Sequence, residues 1–368
     1  MESTVKVECH CGLTSFALSI PSSSFPLKAS ICHCRSCRHT TGQLFATWAV
    51  IPLPLPADIL ESGNLVKYLV STCDRWSCKR CGASVVNVDR ASDPHEWEVA
   101  TGALNFDDAR GLEGRLNRVQ LWVEDVKGDG GAVGWINKGR LEGMDRHWKS
   151  RGSQMVSDKA VKELMTPQAR VAGDGDDNER LPVRCRCQTV KFEIKRPEKN
   201  YNGGTGKFAA CLDACNSCRA VTGFEVTSWA VVPRDRIVVD PSLNTFLEDR
   251  SKLGHYQTSS NTSRYFCVKC GAAAFYHRHG TDTIGIATGL LDFKIEGVVR
   301  VEAWLDWQKV SREQWADEST WSPELVWFQE DAVDAQFVGG VAEGMNSWEK
   351  EKGNLKSTLS DLFSAVSV

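Results

Sequence analysis

Along much of the chain, apolar and polar positions alternate. Phe16, Leu18 and Ile20 are separated by small or polar residues, and so are Val190, Phe192 and Ile194. A period of two predicts strands with one buried face. The segments LFATWAVIP, EVTSWAVVP, EWEVATGAL, DTIGIATGLL, RVQLWVE and VRVEAWLDW are short, rich in β-branched or aromatic residues, and bounded by turn formers. Helical spacing is expected in two places only. One is a short stretch around Ser157 to Met165. The other is Asn354 to Val368, where Leu355, Leu359, Leu362 and Val366 recur at helical intervals. The pattern predicts a mainly β protein of mostly antiparallel strands with little helix.

The pattern also repeats. Cys9-x-Cys11 matches Cys185-x-Cys187 at an offset of 176, and Cys34-x-x-Cys37-Arg38 matches Cys215-x-x-Cys218-Arg219 at 181. At that same offset Thr41-Gly42 meets Thr222-Gly223, and Trp48 meets Trp229. Cys78-x-x-Cys81-Gly82 matches Cys267-x-x-Cys270-Gly271 at 189. The drift places small insertions in the loops of the second copy. A period this long is a tandem domain rather than a solenoid. We therefore expect a first domain over 1–149, a polar linker over 150–180, a second domain over 181–328 and a C-terminal extension over 329–368. The two repeats are expected to pack together, with tryptophans walling a pocket between them.

Composition narrows the chemistry. The chain has 368 residues, 42 % of them hydrophobic and 25 % charged, which is ordinary for a globular protein and excludes a mainly disordered one. Nothing in the formal charge of −3 predicts affinity for nucleic acid or anionic membrane. No apolar run approaches a membrane span, and MESTVKVECHCG lacks the form of a secretion signal. A cytoplasmic location is expected, with the nucleus as the alternative. Fifteen cysteines in such a chain point to metal ligands or catalytic groups before disulfides.

The cysteines fall into two kinds of cluster. Residues two apart in a strand share a face, so Cys9 and Cys11 can approach one ion. A Cys-x-x-Cys-Gly turn wraps an ion from the other side. Cys9, Cys11, Cys78 and Cys81 thus supply four thiolates from two distant segments, and Cys185, Cys187, Cys267 and Cys270 repeat the arrangement. Four thiolates suit a closed, structural zinc, contributing on the order of 10 kcal/mol of folding free energy per site. The alternative is eight buried free thiols.

Cys32, Cys34 and Cys37 form the second kind. Three ligands leave a fourth zinc position open to water, a thiolate or a substrate oxygen. A third structural site is the alternative, with Cys73 a candidate fourth ligand, although its counterpart is Thr262. His33 is expected to line the site rather than ligate. In the second copy Asp213 stands where Cys32 does, and Cys211 lies two residues earlier. Either Asp213 or Cys211 joins Cys215 and Cys218, or that copy has lost its metal. Arg38 and Arg219 follow the clusters and suit a carboxylate-bearing ligand or a surface charge. Trp48 and Trp229 are read as core first and pocket wall second.

This order of motifs, C-x-C, then C-H-C-x-x-C-R with a later T-G, then C-x-x-C-G, resembles the glutathione-dependent formaldehyde-activating enzymes, a family that also includes centromere protein V. The resemblance covers about 3–135 and 181–310. It implies two Mss4-like β domains. It also implies that Cys9, Cys11, Cys78 and Cys81 hold a structural zinc while Cys32, Cys34 and Cys37 hold a catalytic one. It further implies carbon–sulfur lyase-type chemistry joining glutathione and formaldehyde, or related thiol adducts, with glutathione as co-substrate. The whole chain would then hold two structural zinc ions and one or two of the catalytic type. His33, His39 or a water is the candidate proton shuttle. Two other readings stand beside this one: a zinc enzyme acting on a small carbonyl substrate without glutathione, and a zinc-stabilised scaffold without activity.

Overall fold

A computed structural model describes residues 2–107, 110–165, 179–238, 249, 251–308, 334–348 and 350. Among these residues the chain is mostly β and divides into two like halves. Each carries a three-stranded sheet beside a seven-stranded one. In the first half, strands Glu2–Glu8 and Ser15–Pro21 form an antiparallel hairpin with Val5 opposite Leu18 and Val7 opposite Phe16. The alternation holds here: Val5, Val7 and Ile20 are buried, while most residues between them face solvent.

The first large sheet runs in the order Leu116–Leu121, Leu27–Cys32, Ala46–Ile51, Glu96–Ala100, Ser84–Asp89, Cys73–Cys78 and Leu65–Leu69. The second runs Leu305–Trp307, Phe208–Asp213, Thr227–Pro233, Thr283–Ala287, Ala273–Arg278, Thr262–Cys267 and Leu253–Ser259. All neighbours are antiparallel except at one edge of each sheet, where Leu116–Leu121 runs parallel to Leu27–Cys32 and Leu305–Trp307 parallel to Phe208–Asp213. The segment VRVEAWLDW is less extended than its composition predicts. Asp129 accepts the backbone N–H groups of Val299 and Arg300 at 2.9 and 2.7 Å, and Val301 has φ +50°, so the chain turns before the strand begins.

Short helices follow the second cysteine motif in each half. Cys34 caps the helix Arg35–Thr41 with its sulfur accepting from Cys37 N–H at 3.2 Å, and Cys215 caps Asn216–Thr222 in the same way at 3.3 Å. Both end at a glycine in the left-handed region, Gly42 at φ +83° and Gly223 at +88°. These two glycines also join the halves. A Cβ on Gly42 would collide with the Ala273 carbonyl of the other half, and one on Gly223 with the Ser84 carbonyl. Gly289 N–H donates to Gly42 and Gly102 N–H to Gly223 across the same seam. The contact is pseudo-twofold, and it meets the expectation that the repeats pack together.

The helix Asp158–Met165 forms where one was expected and buries Val161. The helical spacing of Asn354 to Val368 lies outside the described residues. Within the extension, residues 335–348 form a helix capped by Asp334, which accepts Phe337 N–H at 2.9 Å. Phe337, Val338, Val341, Met345 and Trp348 are buried. Trp348 packs 5.4 Å from Trp135 of the first half. Arg118 then ties three parts together, bonding Glu225 of the second half and Asp334 of the extension at 2.8 Å each, all buried. Such a network costs desolvation, and each member holds its place only because the others are present. No described helix is long and apolar enough to cross a membrane.

Candidate metal centres

The paired motifs come together as four-sulfur clusters. The turn after Cys9 is fixed by Cys9 N–H to Thr14 O at 3.0 Å. The Cys78–Gly82 turn closes through Gly82 N–H to Cys78 O at 2.9 Å, with Gly82 at φ +77°. The sulfurs of Cys9, Cys11, Cys78 and Cys81 all lie within 4.8 Å of one another, and so do those of Cys185, Cys187, Cys267 and Cys270. Neighbouring pairs sit 3.4–3.6 Å apart. A tetrahedron with ~2.3 Å zinc–sulfur arms has edges of about 3.8 Å, so both quartets fit such an ion.

Cys32, Cys34 and Cys37 form the first three-residue group. Cys32 and Cys37 are 3.3 Å apart, and both are buried. Strand geometry supplies Cys32, and the helix cap supplies the other two. A guanidinium completes the surroundings: Arg75 Nη2 donates to Cys37 Sγ at 3.0 Å. Sulfur contacts with Cys32 and Cys34, and then the charge of Arg75, outweigh burial and hold the Cys37 sulfur well below its ordinary pKa. Burial works against the charge of Arg75, but the sulfurs of Cys37, Cys34 and Cys73 outweigh it and raise its pKa.

In the second half the group is Asp213, Cys215 and Cys218. Cys218 donates to Asp213 Oδ2 at 3.0 Å, and Cys215 N–H donates to Asp213 Oδ1 at 2.8 Å. Arg264, the counterpart of Arg75, donates to Cys218 Sγ at 3.1 Å. Cys211 does not join the group. It shares a strand face with Asp213 but stands two residues away, roughly 6.6 Å along the strand.

Register extends each group into a row of side chains on the same sheet face. In the first half Val50 pairs with Glu98, Glu98 with Asn87, and Asn87 with Arg75. Arg75 Nε donates to Asn87 Oδ1 at 3.2 Å, and Asn87 Nδ2 to Glu98 Oε2 at 2.5 Å. Burial pushes the Glu98 carboxyl up to about 8. In the second half the same row reads Val231, Gly285, Tyr276 and Arg264. The Tyr276 ring lies over Gly285, where a Cβ would strike it. It packs edge-on to Trp229 at 5.1 Å, and the Arg264 guanidinium sits 4.9 Å from its centre.

Several sequence expectations change at this point. Arg38 is buried, but its Nε donates to the His33 carbonyl at 3.3 Å, so it braces the loop and the arginine on sulfur is Arg75. Arg219 likewise bonds the Gly102 carbonyl across the seam. His33 is fully buried, with Nε2 3.0 Å from Gln120 Oε1, and burial lowers its pKa to about 4. His39 bonds the Arg184 carbonyl at 2.8 Å, and burial lowers its pKa to about 4 as well. Neither imidazole carries a proton to give near neutral pH. Cys73 stands outside the three-sulfur group, beside Thr72 at 3.6 Å. Trp48 does line the first group, packed edge-on at 5.3 Å against Phe224, which the second half contributes. Sequence reasoning overlooked Arg75, Asn87 and Glu98. One signal was present: an arginine stands three residues before Cys78 and before Cys267 alike.

Two β halves, each with a sulfur quartet and a three-residue group that could hold a metal ion, define a tandem cysteine-rich protein. The sequence model of the glutathione-dependent formaldehyde-activating enzymes matches residues 4–125 and 180–306, well over half of the chain. The chain belongs to that family, as a member with two copies of the domain. No curated protein matches it.

Proposed function

We propose that the first half is the active centre of a zinc-dependent carbon–sulfur lyase-type enzyme, which joins a thiol such as glutathione to a formaldehyde-like carbonyl or separates the two. The observation that carries this reading is the group of Cys32, Cys34 and Cys37 under Arg75, two buried sulfurs and one half-buried, with no fourth ligand among the described residues. A zinc ion held there would supply Lewis acidity and lower the pKa of a thiol or water in its remaining position. In the reaction the thiol sulfur forms a bond to the carbonyl carbon, and the thiol proton ends on the oxygen. Nothing is oxidised or reduced. Arg75 keeps negative charge on the sulfur cluster favourable. Glu98, protonated at neutral pH on the same face, holds a proton that the two histidines do not. The two seven-stranded sheets fix these groups on rigid elements, and Phe224 and Trp48 exclude water from one side.

The test is exchange between formaldehyde and S-hydroxymethylglutathione, followed by NMR with the zinc-loaded chain. We expect exchange well above the uncatalysed rate and its loss in Cys34→Ser. Exchange no faster than without protein would overturn the reading. Running the assay on the carbonyl alone tests the glutathione-free alternative.

A further inference from the structure

Beside the first three-cysteine group, two buried donors lack an acceptor among the described residues: Trp48 Nε1 and Arg75 Nη1. Both side chains are more than nine-tenths buried, at 2 % and 7 % exposure. They are neighbours, with the Arg75 guanidinium carbon 5.8 Å from the Trp48 ring centre and its other nitrogen on Cys37. Pairing also puts them on one sheet face. Trp48 lies opposite Ala100 and two residues from Ala46, the partner of Cys32, while Arg75 ends the row that starts at Val50. A buried N–H left unpaired forfeits its hydration without return, so two at one place ask for an acceptor.

The second half provides the control. Trp229, the counterpart of Trp48, donates Nε1 to Thr227 Oγ1 at 2.9 Å. The equivalent of Thr227 in the first half is Ala46, which has no hydroxyl. Arg264 also has nitrogens without an acceptor, but its guanidinium lies against the rings of Trp229 and Tyr276 at 5.5 and 4.9 Å. The place beside Arg264 that Asn87 and Glu98 leave polar in the first half is thus filled by an aromatic ring.

We propose that Trp48 Nε1–H and Arg75 Nη1–H form a subsite for a compact oxygen acceptor, a carbonyl, hydroxymethyl or carboxylate oxygen of the substrate, and that the second half, whose Trp229 N–H is already taken by Thr227, does not share it. The subsite deepens the reading of the first half given above by naming what holds the oxygen, but it does not depend on glutathione. It also assigns Trp48 a binding role that a core tryptophan would not have.

Sodium formate is the probe. It is titrated into the zinc-loaded full chain while the indole ¹H–¹⁵N resonances are followed, and Trp48 is identified as the resonance missing in Trp48→Phe. Formate should move the Trp48 indole signal and leave that of Trp229, identified through Trp229→Phe, in place. Trp48→Phe should weaken formate binding about tenfold, the worth of one hydrogen bond to a charged acceptor. Arg75→Lys, checked for unchanged zinc content, should weaken it by a similar factor, because lysine lacks the fork. The proposal is overturned if the Trp48 signal does not respond to formate, if Trp229 responds equally, or if Trp48→Phe binds formate like the parent. If a variant fails to fold, the response of the unmodified chain decides. Formate binding at Trp48 without glutathione exchange sinks the lyase reading alone, whereas exchange without a Trp48 response sinks this inference alone.

Discussion

Laid over each other, the two halves agree in their sulfur quartets, their capped helices and the arginine on sulfur. They part along one row of four residues. Val50, Glu98, Asn87 and Arg75 make a polar row in the first half, and Val231, Gly285, Tyr276 and Arg264 make an aromatic one in the second. The group at the end of the row differs in step: three cysteines on one side, and an aspartate already bonded to Cys215 and Cys218 on the other. The lesson is that scaffold and site are separable. Features that close loops and cap helices are kept in both halves, since losing them would unfold either. The polar row beside the three-residue group is present only in one.

The largest effect should not distinguish the halves at all. Removing metal with a strong chelator should unfold both, because a zinc ion in each quartet would contribute on the order of 10 kcal/mol of folding free energy. Cys78→Ser and Cys267→Ser should lower the melting temperature alike by circular dichroism. A melt unmoved after zinc is shown to have left would break the comparison at its base.

Next in size is the asymmetry of the three-ligand groups. Cys34→Ser should abolish exchange activity, a loss of about a thousandfold or more, as expected for an element of the reacting centre. Cys215→Ser should leave kcat/KM within about threefold of the parent, less than 1 kcal/mol in the barrier. Equal losses from the two variants would show that both halves work.

Steric closeness at the seam gives a third, symmetrical test. Gly42→Ala and Gly223→Ala each combine a left-handed backbone with a collision against a carbonyl of the other half. Each should cost about 2–5 kcal/mol in denaturant unfolding.

The smallest effect is a pH dependence confined to the first half. The Glu98 carboxyl rises from an ordinary value of 4.5 to about 8 through burial. The folded state therefore holds a proton that the unfolded chain has released between those values. For this group stability is greatest below about pH 4.5, declines as pH climbs toward 8, and levels off above. Below about pH 6.5 the buried His33 and His39 act in the opposite sense, so the Glu98 decline should be read by urea titration between about pH 6.5 and 8, where Glu98→Gln should flatten it. A slope that survives the substitution would mean that another group causes it.

Much of this architecture could be read from the chain, and the reason is covalent spacing. Cys9-x-Cys11 and Cys78-x-x-Cys81 declare their geometry within a few residues, and their return at Cys185 and Cys267 declares the duplication. Alternation gave the β class for the same local reason. The row of Glu98, Asn87 and Arg75 was not readable, because it exists only through the pairing of three strands. Arg38 drew attention by lying next to Cys37 in sequence, whereas Arg75 reaches the same sulfur from across the sheet. The parallel edge strands and the turn at Val301 were missed likewise, since a buried carboxylate from elsewhere, Asp129, shapes that turn.

The reciprocal seam, Gly42 under Ala273 and Gly223 under Ser84, has a further meaning. A surface that meets its own likeness head-on needs a mate, and a solitary copy of this domain would offer that face to another of its kind. Tethering two copies on one polypeptide guarantees the mate at any dilution. It also lets the partners diverge in sequence while Phe224 of one packs into the wall of its neighbour.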